Sequence, residues 1–260
     1  VDAIWFNQGE VCCAGSRLLV QESIEHVFVK KLKMRMSKLR IGNPLDKSTD
    51  IGSIISKKQQ DKIQGLITCG KDEGAEIYQA SSEIPNIGNY VAPTLITNVY
   101  NSMKIAQEEI FGPVLVSLTF RTPSEAIKIA NNTKYGLSAS IWTENINLAL
   151  DLAPKIKAGV IWVNSTNLFD AGAGFGGVKE SGFGREGGKE GMLDYLSEKK
   201  QIGFVPRLKK KRLSPNSFPE EINRTRKLYI NGKQVRPDGG YDKTVFDFKG
   251  KIAGQVPNGN

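Results

Sequence analysis

The stretch Gly112–Thr133, GPVLVSLTFRTPSEAIKIANNT, sets a strand and a helix end to end. Its first part, GPVLVSLTF, is a short continuous apolar run of the kind buried on both faces in a parallel sheet. The second part, TPSEAIKIANNT, reads as a helix. Thr122 is its N-cap, Pro123 sits in the first turn, and Glu125 stands at the capping-box position.

The same rhythm extends in both directions. Upstream, RLLVQE (Arg17–Glu22) reads as a strand. Ser23 is expected to cap the helix after it, which runs to about Leu39 with Val27, Leu32, Met36 and Leu39 on one face. Gly42 and Pro44 break that pattern. SKKQQDKIQGLITCGKDEG is a second amphipathic helix, capped by Ser56 and closed near Gly70 or Gly74, and AEIYQA and YVAPTLITNV are strand-like. Downstream, SASIWT, a helix around NINLALDLAPKI, and AGVIWVN repeat strand, helix, strand. Alternation of this kind implies an α/β fold with a largely parallel sheet flanked by helices. From about Gln201, VPRLKKKRLSPNSFPEEINRTR has three prolines and many basic residues without apolar periodicity, the composition of a linker. Beyond it, KLYINGKQV, TVFDF and KIAGQVPNG are short strands with Asn-Gly and Gly-Gly turns, too few to close a core.

Composition narrows the function classes. With 260 residues and 39% hydrophobic content the chain can bury a full core. Three cysteines, Cys12, Cys13 and Cys69, do not form a secreted disulfide framework, so a reducing, intracellular compartment is expected, the cytoplasm first. No metal-ligand spacing is present, and no apolar run reaches the roughly 18 residues of a membrane span. The start VDAIWFNQG has neither the charged nor the apolar region of a signal peptide. It also lacks an initiator methionine, from which the chain is expected to begin inside a longer protein. The only histidine, His26, lies on a helix and reads as a surface or groove residue. The net charge of +9 is concentrated in RLKKKR (Arg207–Arg212) and on helix faces. Without aromatic interleaving or a nucleic-acid module this reads as solvated charge, and a nucleic-acid partner is not expected.

Three stretches carry chemistry. FNQGEVCCAGSR (Phe6–Arg17) sets two adjacent cysteines between glycines. A thiol attacks carbonyls as thiolate, and a free cysteine has a pKa of about 8.5, so its surroundings must lower it. Nearby backbone N–H groups and Arg17 are candidates for that task. Two small core residues are an equal alternative at this point. EEIFGPVL (Glu108–Leu115) puts two carboxylates and an aromatic beside a Gly-Pro turn, suited to gripping ribose hydroxyls or to an ordinary acidic turn. GAGFGGVKESGFGREGG (Gly172–Gly188) contains Gly172, Gly174 and Gly177 in a G-x-G-x-x-G pattern. It does not join strand directly to helix as a dinucleotide loop does, and reads as a loop that closely approaches a substrate or another backbone.

Together these stretches resemble the aldehyde dehydrogenase superfamily. FNQGEVCCAGSR is similar to its cysteine signature, EEIFGPVL to its nicotinamide-ribose motif, and AGVIWVN to the strand before its C-terminal loop. FGGVKESGFGREGGKEGMLDYLSEKK is similar to its closing segment. The order matches, and Cys12 and Glu109 are 97 positions apart, a separation typical of the family. The resemblance covers about Val1–Lys200 and restarts at KLYINGKQV, which is similar to the first hairpin of a new module. Tandem modules, WFNQ and the long linker most resemble family 16 aldehyde dehydrogenases.

The resemblance implies a catalytic domain over residues 1–182, a C-terminal oligomerisation strand segment over 183–200, a basic linker over 201–226, and a truncated second module over 227–260. It implies NAD, with NADP left open, an aldehyde substrate and a homo-oligomer. Cys12 is then the nucleophile, its backbone N–H half of an oxyanion hole, and Cys13 a packed neighbour. Glu109 matches the residue that binds the nicotinamide ribose and Phe111 the ring that positions the nicotinamide. Gln59 and Lys62 match positions near the adenosine ribose, and Phe175 an aromatic lining the substrate tunnel; Cys69 matches no role. Glu10 and Val11 depart from the pattern, and Glu10 sets a carboxylate where it can raise the Cys12 pKa by repulsion. The family's general-base glutamate, its oxyanion asparagine and its dinucleotide loop fall upstream of Val1, so the isolated fragment is expected to be inactive. The alternative is a catalytically weak scaffold that acts by oligomerising or binding partners.

Overall fold

The computed structural model describes residues 1–80, 83–197, 228–230, 233–235 and 242–257. They belong to two compact units, Val1–Lys199 and Lys200–Asn260. The expected linker, 201–226, with its basic run Arg207–Arg212, lies outside the described residues.

The first unit opens with a short helix, α1 (Asp2–Trp5), followed by strand β1 (Arg17–Gln21), helices α2 (Glu25–Met36) and α3 (Lys57–Asp72), and strands β2 (Glu76–Gln79) and β3 (Thr94–Thr97). Helix α4 (Lys104–Gln107), strand β4 (Val114–Phe120) and helix α5 (Pro123–Asn131) follow. One sheet has the order β1-β4-β3-β2. β4 pairs in parallel with β1, Arg17 opposite Val116, and with β3, Thr94 opposite Val114, while β2 closes the edge antiparallel to β3.

The sheet is largely parallel because β4 is covered on both faces. Val114, Val116 and Leu118 point into a core with Ile63, Leu66 and Ile67 of α3 and Ile105 and Ala106 of α4. Leu115 and, on β3, Leu95 point the other way, onto Trp5 of α1 and Leu32 and Met36 of α2. This alternation on a central strand is the three-layer arrangement that the apolar run GPVLVSLTF announced. Each such side chain contributes about 1.5–3 kcal/mol by leaving water.

The helix caps follow the sequence at two places and depart from it at a third. Ser56 Oγ accepts the N–H of Gln59 at the start of α3, and Thr122 Oγ1 accepts that of Glu125 at the start of α5, each at 3.2 Å. The Glu125 carboxylate reaches back to the N–H of Arg121, one residue before the cap. Ser23, by contrast, is not a cap. The chain leaves β1 through a 3-10 turn, Glu22–Ile24, which delays α2 until Glu25. That delay also turns the helix: Leu32 and Met36 are buried with Val29 packed against them, while Val27 is 56% exposed. His26 is exposed as well.

Strand β5 (Ser138–Ile141), helix α6 (Ile146–Leu152) and strand β6 (Val160–Val163) form a β-α-β unit in which β5 and β6 pair in parallel. The chain then enters the glycine-rich loop and helix α7 (Gly188–Leu193). The segment expected as an oligomerisation strand, 183–200, carries helix α7 over Gly188–Leu193, and its last residues, 198–200, lie outside the described ones. In the second unit β7 (Leu228–Ile230) and β8 (Lys233–Val235) pair antiparallel, as do β9 (Asp242–Phe246) and β10 (Ile252–Pro257).

Among the described residues no helix is long and apolar enough to cross a membrane, and no group of three or more metal-ligating side chains occurs.

Candidate active site

Parallel pairing explains how segments far apart in sequence meet. Cys12 lies just before β1 and Phe111 just before β4, so pairing β1 with β4 in parallel brings both to the amino edge of the sheet. Two contacts lock the edge. Trp5, 2% exposed, donates its indole N–H to Pro113 O at 3.0 Å. Gly9, at φ 73°, lies so close to Gly112 that a Cβ on Gly9 would run into the Gly112 carbonyl oxygen. Asn7 and Gln8 just before it share the left-handed conformation, at φ 49° and 57°. Three such residues in succession, two bearing side chains, cost about 1–2 kcal/mol for each non-glycine. The contacts around them offset this: the Asn7 amide donates to Glu10 O at 3.1 Å, and Gln8 Oε1 accepts the N–H of Gly52 at 3.3 Å.

The two cysteines have opposite surroundings. Cys12 is exposed and Cys13 buried. The backbone N–H of Cys12 has no acceptor among the described residues, which leaves it free to donate to an oxyanion. Cys13 donates its thiol hydrogen to Asn167 Oδ1 at 3.3 Å. Burial, and after it the neighbouring charge of Cys12, push the Cys13 thiol above its ordinary pKa. It therefore stays protonated, as a donor must.

Both charged neighbours of the cysteines have partners outside the cysteine loop. The Arg17 guanidinium turns to Asn101 Oδ1 at 2.7 Å and Ile129 O at 3.2 Å. Beside it the Lys179 ammonium donates to Asn131 O and Thr133 O, and both cations thereby cap the carbonyl end of α5. Burial holds both below their ordinary pKa. The Glu10 carboxylate accepts the N–H of Ile55 at 3.2 Å.

On the facing turn, Phe111 is half-buried and also left-handed, at φ 57°. Gln59 of α3 donates from Nε2 to Ile110 O and Phe111 O, each at 2.9 Å, and Ile63 one turn on covers Gly112 where a Cβ would stand. The two carboxylates of the motif separate. Glu108 is 3.4 Å from the Lys134 ammonium, whereas Glu109 is exposed and has no side-chain partner among the described residues. Lys62 is exposed on α3, in an open groove of ≈ 550 Å³ shared with Leu66, Cys69, Lys104 and Glu108.

An aromatic wall was missed in the sequence. Phe175 stacks edge-on against Phe169 at 5.0 Å between centroids, and Phe169 against Trp162 at 5.7 Å. The Trp162 indole donates to Leu168 O at 2.9 Å, which folds this loop back toward β6, and Asn167 within it meets Cys13. The wall thus joins the cysteine loop from a third side. The available signal was Trp162, Phe169 and Phe175 flanking a glycine-dense loop after a strand. That loop does approach another backbone: a Cβ on Gly159 would overlap the Gly176 carbonyl oxygen.

Residues 1–201 match the model of the aldehyde dehydrogenase family. An aldehyde dehydrogenase of Emericella nidulans is 44% identical over 196 residues, which cover 75% of this chain and 39% of the relative. A mitochondrial aldehyde dehydrogenase of Sus scrofa is 43% identical over 204 residues, covering 78% of this chain and 39% of the relative. Among solved structures, betaine aldehyde dehydrogenase of Staphylococcus aureus in complex with NAD+ superimposes with a TM-score of 0.72 at 40% identity, over 75% of this chain and 40% of that one. A point mutant of that enzyme, also with NAD+, carries a BME-modified cysteine and gives a TM-score of 0.73. The chain therefore spans about two fifths of the length of these relatives. On a match that covers more than half of its residues, the chain belongs to the aldehyde dehydrogenase family.

Proposed function

We propose that this chain supplies the nucleophile and the nicotinamide-ribose half of the cofactor site in an NAD-dependent aldehyde dehydrogenase. The observation that carries the reading is the amino edge of the sheet, where the loop with an exposed thiol and a free backbone N–H and the turn with an unpaired carboxylate and Phe111 precede paired strands and meet at Gly9 and Gly112.

The residues fit half of the cofactor. Glu109, without a competing cation, can accept from ribose hydroxyls, Phe111 offers a ring edge for the nicotinamide, and Lys62 adds a donor at the groove. The Cys12 thiolate attacks the aldehyde carbon, a C–S bond forms, and the carbonyl π pair moves to oxygen, where the Cys12 N–H receives it. Bound NAD supplies the acceptor for the hydride that leaves this carbon. The thioester left on Cys12 is opened by water to the carboxylic acid, which frees the thiolate. Phe175 and Phe169 line the approach and keep it apolar. Support for NAD over NADP comes from the relatives solved with NAD+. The longer parent protein, its tandem arrangement and its resemblance to family 16 belong to the same proposal, as do a homo-oligomer and a reducing, cytoplasmic location suited to three free cysteines.

A second reading, a scaffold with idle chemistry, draws on the exposed apolar side chains Met192, Leu193, Tyr195 and Leu196 in and after α7. One experiment separates the two. In the full-length protein, thiol alkylation is followed against pH with and without NAD, and Cys12 is read by peptide mass. The enzyme reading expects fast labelling of Cys12 that NAD alters, loss of aldehyde oxidation in Cys12→Ala, and most activity kept in Cys13→Ala. Slow labelling that ignores NAD sinks it in favour of the scaffold.

A further inference from the structure

Helix α2 is apolar on two sides. Leu32 and Met36, with Val29 beside them, face the core. A helix that covers a sheet normally turns polar residues outward. At about 3.6 residues per turn the face opposite the core falls to Val27 and Met34, and each of them is 56% exposed. Ile24, in the turn before the helix, is 52% exposed and extends this row. Lys30, Lys31 and Lys38 flank it, all exposed.

These three lysines are free while their neighbours are engaged. Lys33 stands over the Tyr78 ring at 4.8 Å, and Arg40 pairs with Asp50 at 3.0 Å. Glu22, at the foot of the helix, is taken by Arg121. Lys30, Lys31 and Lys38 have no ion pair among the described residues. Single exposed apolar residues need no explanation, but a row of them between unpaired cations complements a surface that is both anionic and apolar. Ser37, the remaining hydroxyl on this side, is spent on Met34 O. The outer face thus offers charge and apolar contact and no acceptor to fix a register. A folded acidic protein is held in register by such groups, whereas a fluid lipid surface needs none.

We infer that the outer face of α2 docks on an anionic lipid surface, with Val27, Met34 and Ile24 entering the headgroup boundary and Lys30, Lys31 and Lys38 meeting lipid phosphates. The helix lies on the surface and does not cross it. The contact uses no part of the cysteine edge and does not depend on the chemistry of Cys12.

In the test, the full-length protein is sedimented with phosphatidylcholine vesicles that contain about one third phosphatidylserine, and with phosphatidylcholine alone. Binding to the anionic vesicles only is expected. It should fade as salt rises from about 0.1 to about 1 M and the Debye length falls from about 10 to about 3 Å. Lys30→Gln, Lys31→Gln and Lys38→Gln together should weaken it about hundredfold, at about fivefold for each lysine. Val27→Gln with Met34→Gln should weaken it about tenfold and leave the salt dependence unchanged. All five changes are on the surface, so the unfolding temperature should hold. Absence of binding to the anionic vesicles, equal binding to both kinds, or full binding by the lysine variant would overturn the inference. Unchanged binding by the Val27, Met34 variant would leave plain charge adsorption and overturn the docked face. Binding lost only when Arg207–Arg212 is neutralised would assign the attraction to that basic run instead. Retention on polyglutamate without vesicle binding would point to an acidic protein and overturn it as well.

Discussion

Two adjacent cysteines differ because of what lies more than a hundred residues away. Cys13 is buried and bonded to Asn167, and its thiol is pushed above its ordinary pKa, first by burial and then by the charge of Cys12. An unfolded thiol releases its proton near pH ~8.5, while the folded Cys13 keeps it. Between those two values the unfolded state binds fewer protons, so stability falls as pH rises through that window. Cys13→Ala should flatten this alkaline decline, read as unfolding temperature against pH, at a neutral-pH cost of about 1 kcal/mol for one hydrogen bond and a small void. An unchanged alkaline slope would mean that Cys13 is not the group responsible. The motif singled out Cys12 of the two, and it is Cys12 whose thiol the fold leaves exposed. The roles of Arg17 and Glu10 were not legible, because their side chains answer to Ile129 and Ile55, partners that neighbouring sequence does not reveal. Charges close in sequence are close in space only when the chain between them does not turn them elsewhere.

At the level of elements, local chemistry was a good guide wherever the signal was itself local. Thr122, Pro123 and Glu125 fixed the start of α5, and Ser56 that of α3. Thr122→Ala should cost about 1 kcal/mol and raise amide hydrogen exchange in the first turn of α5, with β4 left protected. Equal exchange in both would show that the cap contributes nothing to α5 alone. Ser23 misled because a cap residue is also a good turn residue, and here the 3-10 turn after β1 took it. Within 183–200, where the resemblance implied a strand, the described part holds a helix. Gly191–Leu193 complete α7 there. The aromatic wall went unread because its members sit at irregular spacing in a loop, where neither the helical nor the strand period applies.

For the first unit as a whole, the site is a consequence of sheet topology. Ligand sites of open α/β sheets usually lie beyond the carboxyl ends of the strands, yet here the exposed Cys12 and the Phe111 turn both precede their strands and share the amino edge. Besides the Trp5 indole on Pro113 O, close backbone approach sets the spacing of the two segments, and Gly9 against Gly112 is that approach. The argument makes a prediction with a built-in control. Gly9 and Gly74 both have positive φ, 73° and 95°, but a Cβ on Gly9 meets the Gly112 carbonyl whereas one on Gly74, just past α3, meets nothing within 4 Å. Alanine at either position carries the conformational penalty of a left-handed backbone, about 1–3 kcal/mol. Only Gly9→Ala also forces the cysteine loop away from the turn. In the full-length protein both variants should therefore unfold at lower temperature, while only Gly9→Ala should uncouple Cys12 alkylation from NAD and lower aldehyde oxidation by at least about tenfold, the factor that 1.4 kcal/mol of lost transition-state positioning produces. If the two variants behave alike, strain alone explains them, and the amino-edge contact is not what assembles the site.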